Sequence, residues 1–200
     1  MKIGIALAGN TTLNLRSVNV DLWIAIDGGL SLLNEFKIKP EILIGDMDSV
    51  NTMSLTKDIK IKKLNPIKDE TDFSVGLEYV NKKYNNPEII VVGFVSDNRY
   101  EHFYSNLNML KTNMTFLDSN TVIKLLAPGS HKIRSSKKYF SIFAKDDITG
   151  LTYIGAKYPL DNYNLEKSNM LGISNEIVDE TLYINFNSGL AYLFLSEEKW

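Results

Sequence analysis

The stretch IKPEILIGDMDS, residues 38–49, runs from a turn through an apolar segment into an acidic loop. Residues 42–44 are apolar and predict a short buried strand. Asp46 and Asp48 follow it, and on extended chain their carboxylates would face the same side about 7 Å apart. Two such charges repel unless a metal ion, a basic side chain or water lies between them. The stretch alone therefore fits either a solvated polar turn or two carboxylates that share a metal ion.

The same order of buried strand and polar loop recurs on both sides of this stretch. Apolar runs predict strands at residues 2–7, 22–26, 87–94, 115–119 and 121–127, and helical spacing of apolar residues predicts helices at 30–36, 69–84 and 98–112. Alternating strands and helices are typical of a mostly parallel sheet with flanking helices. We therefore expect an α/β domain over residues 1–127.

The pattern changes near residue 128. Short β-branched and aromatic runs separated by turn residues follow, at 139–145, 147–156, 180–187 and 190–196. Such runs without helical periodicity predict a small antiparallel β-sandwich domain over residues 128–200. Because a unit of this size buries little core of its own, we expect it to lean on the first domain or on another subunit.

Composition limits the class of ligand. Hydrophobic residues make up 44% of the 200-residue chain and charged residues 23%, and the formal net charge of −2 gives no strong attraction to nucleic acid or to an anionic membrane. The absence of cysteine excludes disulfides and thiolate metal sites, and it fits the cytoplasm. With only two histidines, any metal is expected to be bound by oxygen ligands, with magnesium the default. We expect neither a membrane span nor a signal peptide.

Four polar segments fall at the predicted carboxyl ends of strands, where ligands bind in α/β sheets. They are residues 27–29, 46–49, 69–72 and 96–102. In the third segment, Asp69 is expected to cap the following helix, and Asp72 to complement its dipole. A helix N-terminus also attracts phosphate, so Asp72 could add a third carboxylate to a metal held there.

The fourth segment leads into a predicted helix with one polar face. Arg99, His102 and Asn106 fall at i, i+3 and i+7 on that face, opposite the apolar residues. Arg99 is suited to bidentate phosphate binding. The alternative is that this face is simply solvated.

Six motifs in order carry a resemblance to a known family. They are DGG (27–29), GDMDS (45–49), KDETD (68–72), RYEH (99–102) with Asn106, GAKYPL (155–160) and GISNE (172–176). Together they resemble thiamine pyrophosphokinase of the bacterial type, over nearly the whole chain. Each motif alone is weak, whereas six in the same order are specific.

The resemblance implies transfer of the pyrophosphate of ATP to the hydroxyl of thiamine, with release of AMP. It implies a homodimer in which the β-sandwich binds thiamine near the subunit interface. It also implies residue roles: Asp46, Asp48 and Asp72 as catalytic carboxylates that bind Mg²⁺; Asp27, Gly28, Ser49, Asp69, Thr71, Arg99, His102 and Asn106 for ATP; and Tyr158, Ser174 and Asn175 for thiamine.

One loop departs from the family pattern. The family usually has two glycines before the arginine and an aspartate before the histidine, whereas this chain has Asp97, Asn98 and Glu101 at the matching places. Losing the glycines limits how closely the backbone can approach a phosphate. The departure bears on how the loop binds its ligand rather than on the class of reaction.

Two other functions fit the residues without the resemblance. One is a magnesium phosphohydrolase with paired aspartates, which would release inorganic phosphate. The other is a regulator that binds a nucleotide or thiamine without turnover. Incubation with ATP, magnesium and thiamine, with AMP resolved from ADP, separates all three.

Overall fold

The computed structural model describes residues 1–46, 58–65 and 70–197. The chain divides into two compact units, Met1–Ser119 and Asn120–Trp200. This division lies earlier than residue 127, the boundary expected from the sequence. The physical reason is that the strand Thr121–Leu126 pairs along its whole length with Ala191–Ser196 of the second unit.

The first unit is an α/β unit with a parallel sheet. Its strands are β1 (Lys2–Ala6), β2 (Leu22–Ile26), β3 (Ile42–Gly45), β4 (Lys60–Lys63), β5 (Glu88–Val92) and β6 (Met114–Leu117), and its helices are α1 (Gly29–Glu35), α2 (Asp72–Lys83) and α3 (Tyr100–Asn108). The order is β6-β5-β1-β2-β3-β4, and each neighbouring pair is parallel. The carboxyl ends of these strands therefore meet at one edge, as predicted.

The strands are apolar because helices cover the sheet on both faces. On one face, Ala25 and Leu43 are buried in a cluster with Leu30 and Leu33 of α1. On the other face, α2 approaches β2 so closely at Gly76 that an added Cβ would lie 2.4 Å from the Ile26 side chain. This packing fixes the positions of the helix N-termini relative to the carboxyl ends of the strands.

The second unit consists of two antiparallel sheets with a shared core. Its strands are β7 (Thr121–Leu126), β8 (Gly129–Ile133), β9 (Tyr139–Ala144), β10 (Ile148–Ile154), β11 (Leu160–Leu165), β12 (Asn175–Glu176), β13 (Leu182–Phe186) and β14 (Ala191–Ser196). They order as β12-β9-β14-β7 and β11-β10-β13-β8. Phe140 of one sheet meets Tyr153 of the other edge to face, with ring centroids 5.4 Å apart. The predicted β-sandwich is confirmed.

Several elements differ from the sequence prediction. Strands β4, β8, β11 and β12 were not predicted. Helix α2 begins at Asp72 with Thr71 as its N-cap, so the expectation that Asp69 caps it is wrong. Helix α3 is shorter than predicted at both ends. Among the described residues, no helix is long and apolar enough to cross a membrane.

Candidate functional site

A cavity of about 420 Å³ opens in the first unit at the carboxyl edge of its sheet. Its volume lies in the range of small-molecule sites. It brings together six residues predicted from the sequence: Asp27, Thr71, Asp72, Arg99, His102 and Asn106. Further lining comes from Leu7, Ala8, Gly9, Ile26, Phe73, Gly93, Phe94, Ser96, Glu101 and Ser105. Gly28 and Asp46 do not line it, although each adjoins a strand end.

The floor of the cavity is formed by backbone that continues the β1–β5 pairing. The Gly9 N–H donates to the Gly93 carbonyl at 2.8 Å, and the Asn10 N–H donates to the Val95 carbonyl at 3.0 Å. A Cβ at Gly9 would lie 2.0 Å from the Val95 carbonyl oxygen, so only glycine fits there. The two loops therefore approach each other through their main chains and leave the space above them open.

Asp27 is held against the end of β3. Its N–H donates to the Ile44 carbonyl at 2.9 Å, and its φ of +46° turns the chain sharply into α1. The Asp27 carboxylate occupies the space where a side chain at Gly45 would stand, since a Cβ there would lie 1.8 Å from Oδ1. The DGG and GDMDS motifs therefore fit together sterically, because Gly45 of the second leaves the space that the Asp27 side chain of the first occupies.

The N-terminus of α2 forms one wall. The Thr71 hydroxyl accepts a hydrogen bond from the Ser74 N–H at 3.1 Å and so caps the helix. Asp72 is the first helical residue and lines the cavity. A helix N-terminus beside a carboxylate can receive a phosphate directly or a metal-bound phosphate.

The start of α3 contributes another part of the lining. Arg99 occupies the N-cap position rather than the helix proper, and its guanidinium contacts the His102 imidazole. Glu101 lies beside both, with Oε1 3.5 Å from Arg99 Nε and 3.7 Å from His102 Nε2. Asn106 donates to the Phe94 carbonyl at 3.2 Å, which ties α3 to the loop after β5. This wall presents a cation and an imidazole to an anionic ligand.

Of the acidic pair Asp46 and Asp48, only Asp46 is among the described residues. Asp46 is half-buried directly after β3, while Asp48, Ser49 and Asp69 lie outside the described residues. Within residues 1–46, 58–65 and 70–197, no group of three acidic, histidine or cysteine side chains is arranged to hold a metal ion. The donors available at this edge are carboxylate and hydroxyl oxygens, which suit a hard divalent cation.

In the second unit, Asn175 organises the predicted thiamine residues. It is only 4% exposed. Its Oδ1 accepts from the N–H groups of Tyr158 at 3.2 Å and Glu176 at 2.8 Å, and its Nδ2 donates to the Tyr158 carbonyl at 2.8 Å. Tyr158 itself is 64% exposed. Asn175 thus supports the Tyr158 main chain from inside the unit and leaves the ring outward.

Ser174 lies beside this amide in a constrained backbone conformation. Its φ is +53°, which non-glycine residues seldom adopt, and its N–H donates to the Ser141 hydroxyl at 2.9 Å. Ser141 had not been predicted from the sequence. A lone serine within a strand gives no signal, whereas the GISNE motif did point to Ser174 and Asn175.

Two family models match the chain. The model described as "Thiamin pyrophosphokinase, catalytic domain" matches residues 14–123, and the model described as "Thiamin pyrophosphokinase, vitamin B1 binding domain" matches residues 130–191. Their order along the chain follows the order of the two structural units.

Curated relatives and solved structures agree with these matches. "Thiamine pyrophosphokinase" of Bacillus subtilis (strain 168) is 30% identical, over 88% of this chain and 88% of the relative. A crystal structure of thiamine pyrophosphokinase from Bacillus subtilis superposes with a TM-score of 0.89 at 28% identity, covering 99% of this chain and 100% of that one. The enzyme from Candida albicans, at 18% identity, shares the fold with a TM-score of 0.81 over 98% of this chain and 90% of its own.

Proposed function

The chain belongs to the thiamine pyrophosphokinase family, and we propose that it binds ATP in the cavity of its first unit. The reaction of the family is transfer of the pyrophosphate of ATP to thiamine, which gives thiamine diphosphate and AMP. The chain is thus an enzyme, an ATP:thiamine diphosphotransferase. The observation that supports a nucleotide site here is that one cavity is lined by Asp27, Asp72, Arg99 and His102.

Each wall of the cavity has a separate task in this proposal. Arg99 binds a phosphate through charge-assisted hydrogen bonds, and the N-terminus of α2 adds the favourable end of its dipole. His102 donates a hydrogen bond to a phosphate oxygen, and the Glu101 carboxylate lies beside Arg99 and His102. Since charge builds up on phosphate oxygens as the β-phosphorus is attacked, donors fixed in advance lower the barrier.

An ATP-using kinase of this family works with a divalent metal, and we propose Mg²⁺. Asp46, Asp48 and Asp72 would hold it together with phosphate oxygens. The oxygen-only donor set fits that ion, because Mg²⁺ is bound through one or two carboxylates plus substrate phosphates. When bound, the ion neutralises phosphate charge and polarises the phosphoryl group.

For thiamine we propose Tyr158 as the contact and Asn175 as its support. The exposed ring of Tyr158 offers a π face to the positively charged thiazolium, an attraction worth about 0.5–1 kcal/mol or more. The Lys157 ammonium lies 6.0 Å from the centroid of that ring. Ser174, at its fixed backbone angle, is the adjacent polar contact.

We also propose that the enzyme is a homodimer. The apolar strands β9 and β14 direct residues such as Ile142 and Leu193 into the unit's own core rather than to an interface. A better candidate for the interface is a set of exposed apolar residues near the thiamine motifs: Tyr158, Met170, Leu171, Ile173 and Val178. Sedimentation at micromolar concentration tests this, and a monomer contradicts it.

Finally, we propose the cytoplasm as its location, since the absence of cysteine fits a reducing compartment, where disulfides do not form.

The direct test is a product assay with purified protein, ATP, Mg²⁺ and thiamine. AMP and thiamine diphosphate in equal amounts are expected. Formation of ADP, of inorganic phosphate, or of no product contradicts the proposed function. Omitting thiamine is the control, and it should abolish AMP release.

A further inference from the structure

Asn10 and Asp97 form a side-chain hydrogen bond at the end of the β1–β5 pairing, next to the cavity. Asn10 Nδ2 donates to Asp97 Oδ2 at 3.0 Å. Neither residue is among those lining the cavity, but their sequence neighbours Gly9 and Ser96 are. The contact therefore joins two loops whose inner residues face the ligand.

The loop carrying Asp97 is a tight turn that leads directly to Arg99. The Arg99 N–H donates to the Ser96 carbonyl at 3.2 Å, and Asn98 takes the left-handed conformation with φ of +60°. Ser96 and Arg99, at the two ends of this turn, both line the cavity. Rotation of the turn would therefore move the Arg99 side chain relative to the ligand.

Both ends of the Asn10–Asp97 contact are already ordered by main chain. The Asn10 N–H is bonded to the Val95 carbonyl at 3.0 Å, two residues before Asp97. An exposed hydrogen bond is usually weakened by the entropy lost in ordering its partners. Here that cost is reduced, because the backbone pairing brings the two side chains together.

We infer that Asn10 and Asp97 are positioning residues, whose hydrogen bond holds the Ser96–Arg99 turn and thereby presents Arg99 to the nucleotide. This inference rests on the proposed nucleotide site. It assigns Asp97 a role through its acceptor oxygen rather than through its charge. A carboxylate near an anionic ligand would by charge alone oppose binding, so the two roles predict opposite results.

The test is the affinity for α,β-methylene-ATP with Mg²⁺, measured by calorimetry on the full chain. Asn10→Ala and Asp97→Ala should each weaken binding about three- to tenfold, and the double variant should be no weaker than either single one. Asp97→Asn keeps an acceptor oxygen and should bind like the parent. The exchange Asn10→Asp with Asp97→Asn restores a donor–acceptor pair of reversed direction and should bind better than Asn10→Asp alone, which sets two carboxylates face to face.

A matched control is a second side-chain hydrogen bond made by the loop that carries Asn10. Thr12 donates to the Ser119 hydroxyl at 2.8 Å, away from the cavity lining, so Ser119→Ala should leave nucleotide affinity unchanged. In turnover assays, Asn10→Ala and Asp97→Ala should raise KM for ATP and leave KM for thiamine unchanged. A general loss of folding would affect both substrates alike.

Distinct outcomes overturn the inference. Weakening by Asn10→Ala but not by Asp97→Ala would mean that Asn10 contacts the nucleotide itself. Tighter binding by Asp97→Ala would mean that its charge dominates, and additive single effects would exclude a shared contact. Arg99→Ala serves as the reference: if it leaves nucleotide affinity intact, the proposed site fails, whereas if it alone weakens binding, only the positioning role fails.

Discussion

The two regions with predicted ligand residues are built by opposite means. The cavity of the first unit is formed where main chains approach each other at Gly9 and where Asp27 occupies the space beside Gly45. The region around Tyr158 in the second unit depends on one buried side chain, Asn175, whose amide makes three hydrogen bonds. Added volume in the scaffold should therefore damage the first region more than the second, while loss of a buried supporting amide should damage the second more than the first.

The largest effect is expected where charge, rather than shape, is removed from the first region. Asp72→Asn should lower turnover by about a hundredfold or more, because it removes a carboxylate that we propose as a ligand of the metal ion. The fold should remain, since Thr71 caps α2 and the lost dipole interaction is worth about 0.3–1 kcal/mol. Product assays and circular dichroism measure the two effects.

The matched control for that variant is Glu70→Gln, which removes one charge from an exposed residue outside the cavity lining. It should retain activity. Asp46→Asn and Asp48→Asn should behave like Asp72→Asn if they share the metal. An active Asp72→Asn enzyme, or one that does not fold, contradicts the metal role.

Gly45→Ala tests the steric half of the comparison. The new Cβ would lie 1.8 Å from Asp27 Oδ1, so the carboxylate must move. We expect turnover to fall by about tenfold or more, and stability to fall by about 1–3 kcal/mol, as for other overpacked sites. Urea unfolding and product assays check both values.

Gly129→Ala is the control for Gly45→Ala. A Cβ at Gly129 meets no atom within 4 Å, but its φ of +124° makes the substitution strained. Stability should fall and activity should persist. Equal activity losses in the two variants would show that displacement of Asp27 is not the cause.

The sequence predicts the core of this arrangement well, for a physical reason. Strands β1, β2 and β5 are buried on both faces, so they appear as continuous apolar runs, and the polar residues after them must lie at one edge. The edge strand β4 was missed because its sequence KIKK is mostly lysine. A strand with one exposed edge does not require an apolar sequence, and lysine there discourages pairing with other chains.

The sequence analysis did not reveal which residues contribute through their main chain or as supports. Ala8 and Gly9 line the cavity but carry no functional side chain. Asp69 and Thr71 are both good capping residues, and only the packed helix selects Thr71. Asn175 was predicted to bind thiamine, but no pattern could reveal that its amide bonds to the Tyr158 main chain.

Arg99→Ala should separate the two regions by function. Loss of one charge-assisted hydrogen bond, worth about 1.5–3 kcal/mol, should weaken binding of a non-hydrolysable ATP analogue by about ten- to a hundredfold. Thiamine affinity should not change. Arg99→Lys keeps the charge but not the planar fork, so its affinity for the ATP analogue should lie between those of the parent and Arg99→Ala. Calorimetry with each ligand decides, and equal weakening of both would mean that the variant disturbs more than a phosphate contact.

Tyr158→Ala is the reciprocal test in the second region. Removing the exposed ring should weaken thiamine binding by about three- to tenfold, the size of a single cation–π contact, and leave the affinity for the ATP analogue unchanged. Tyr158→Phe keeps the π face and should bind thiamine nearly as well as the parent. If Tyr158→Ala and bulky replacements of Ser174 bind thiamine normally, the proposed placement of thiamine is wrong.

The smallest effect is expected at Glu176, where the substitution Glu176→Gln tests whether surface charge also supports the Tyr158 region. The carboxylate pairs with Lys138 Nζ at 3.0 Å and Lys157 Nζ at 3.4 Å. The hydrogen bond from Lys138, followed by that from Lys157, holds the pKa of this carboxyl below its ordinary value of 4.5. Because the folded-state pKa is the lower one, any stabilisation is present above pH 4.5 and disappears as the pH falls through the folded value.

Glu176→Gln should therefore unfold slightly more easily than the parent at pH 7, and the two proteins should become equal in strongly acidic solution. High salt should remove the difference at pH 7, since exposed ion pairs are screened. Thiamine affinity should be unchanged, because Asn175 and not the ion pairs bonds to the Tyr158 main chain. Thermal unfolding across this pH range, with thiamine calorimetry at pH 7, tests both expectations. Loss of thiamine binding in Glu176→Gln would show that charge, as well as the buried amide, holds Tyr158 in place.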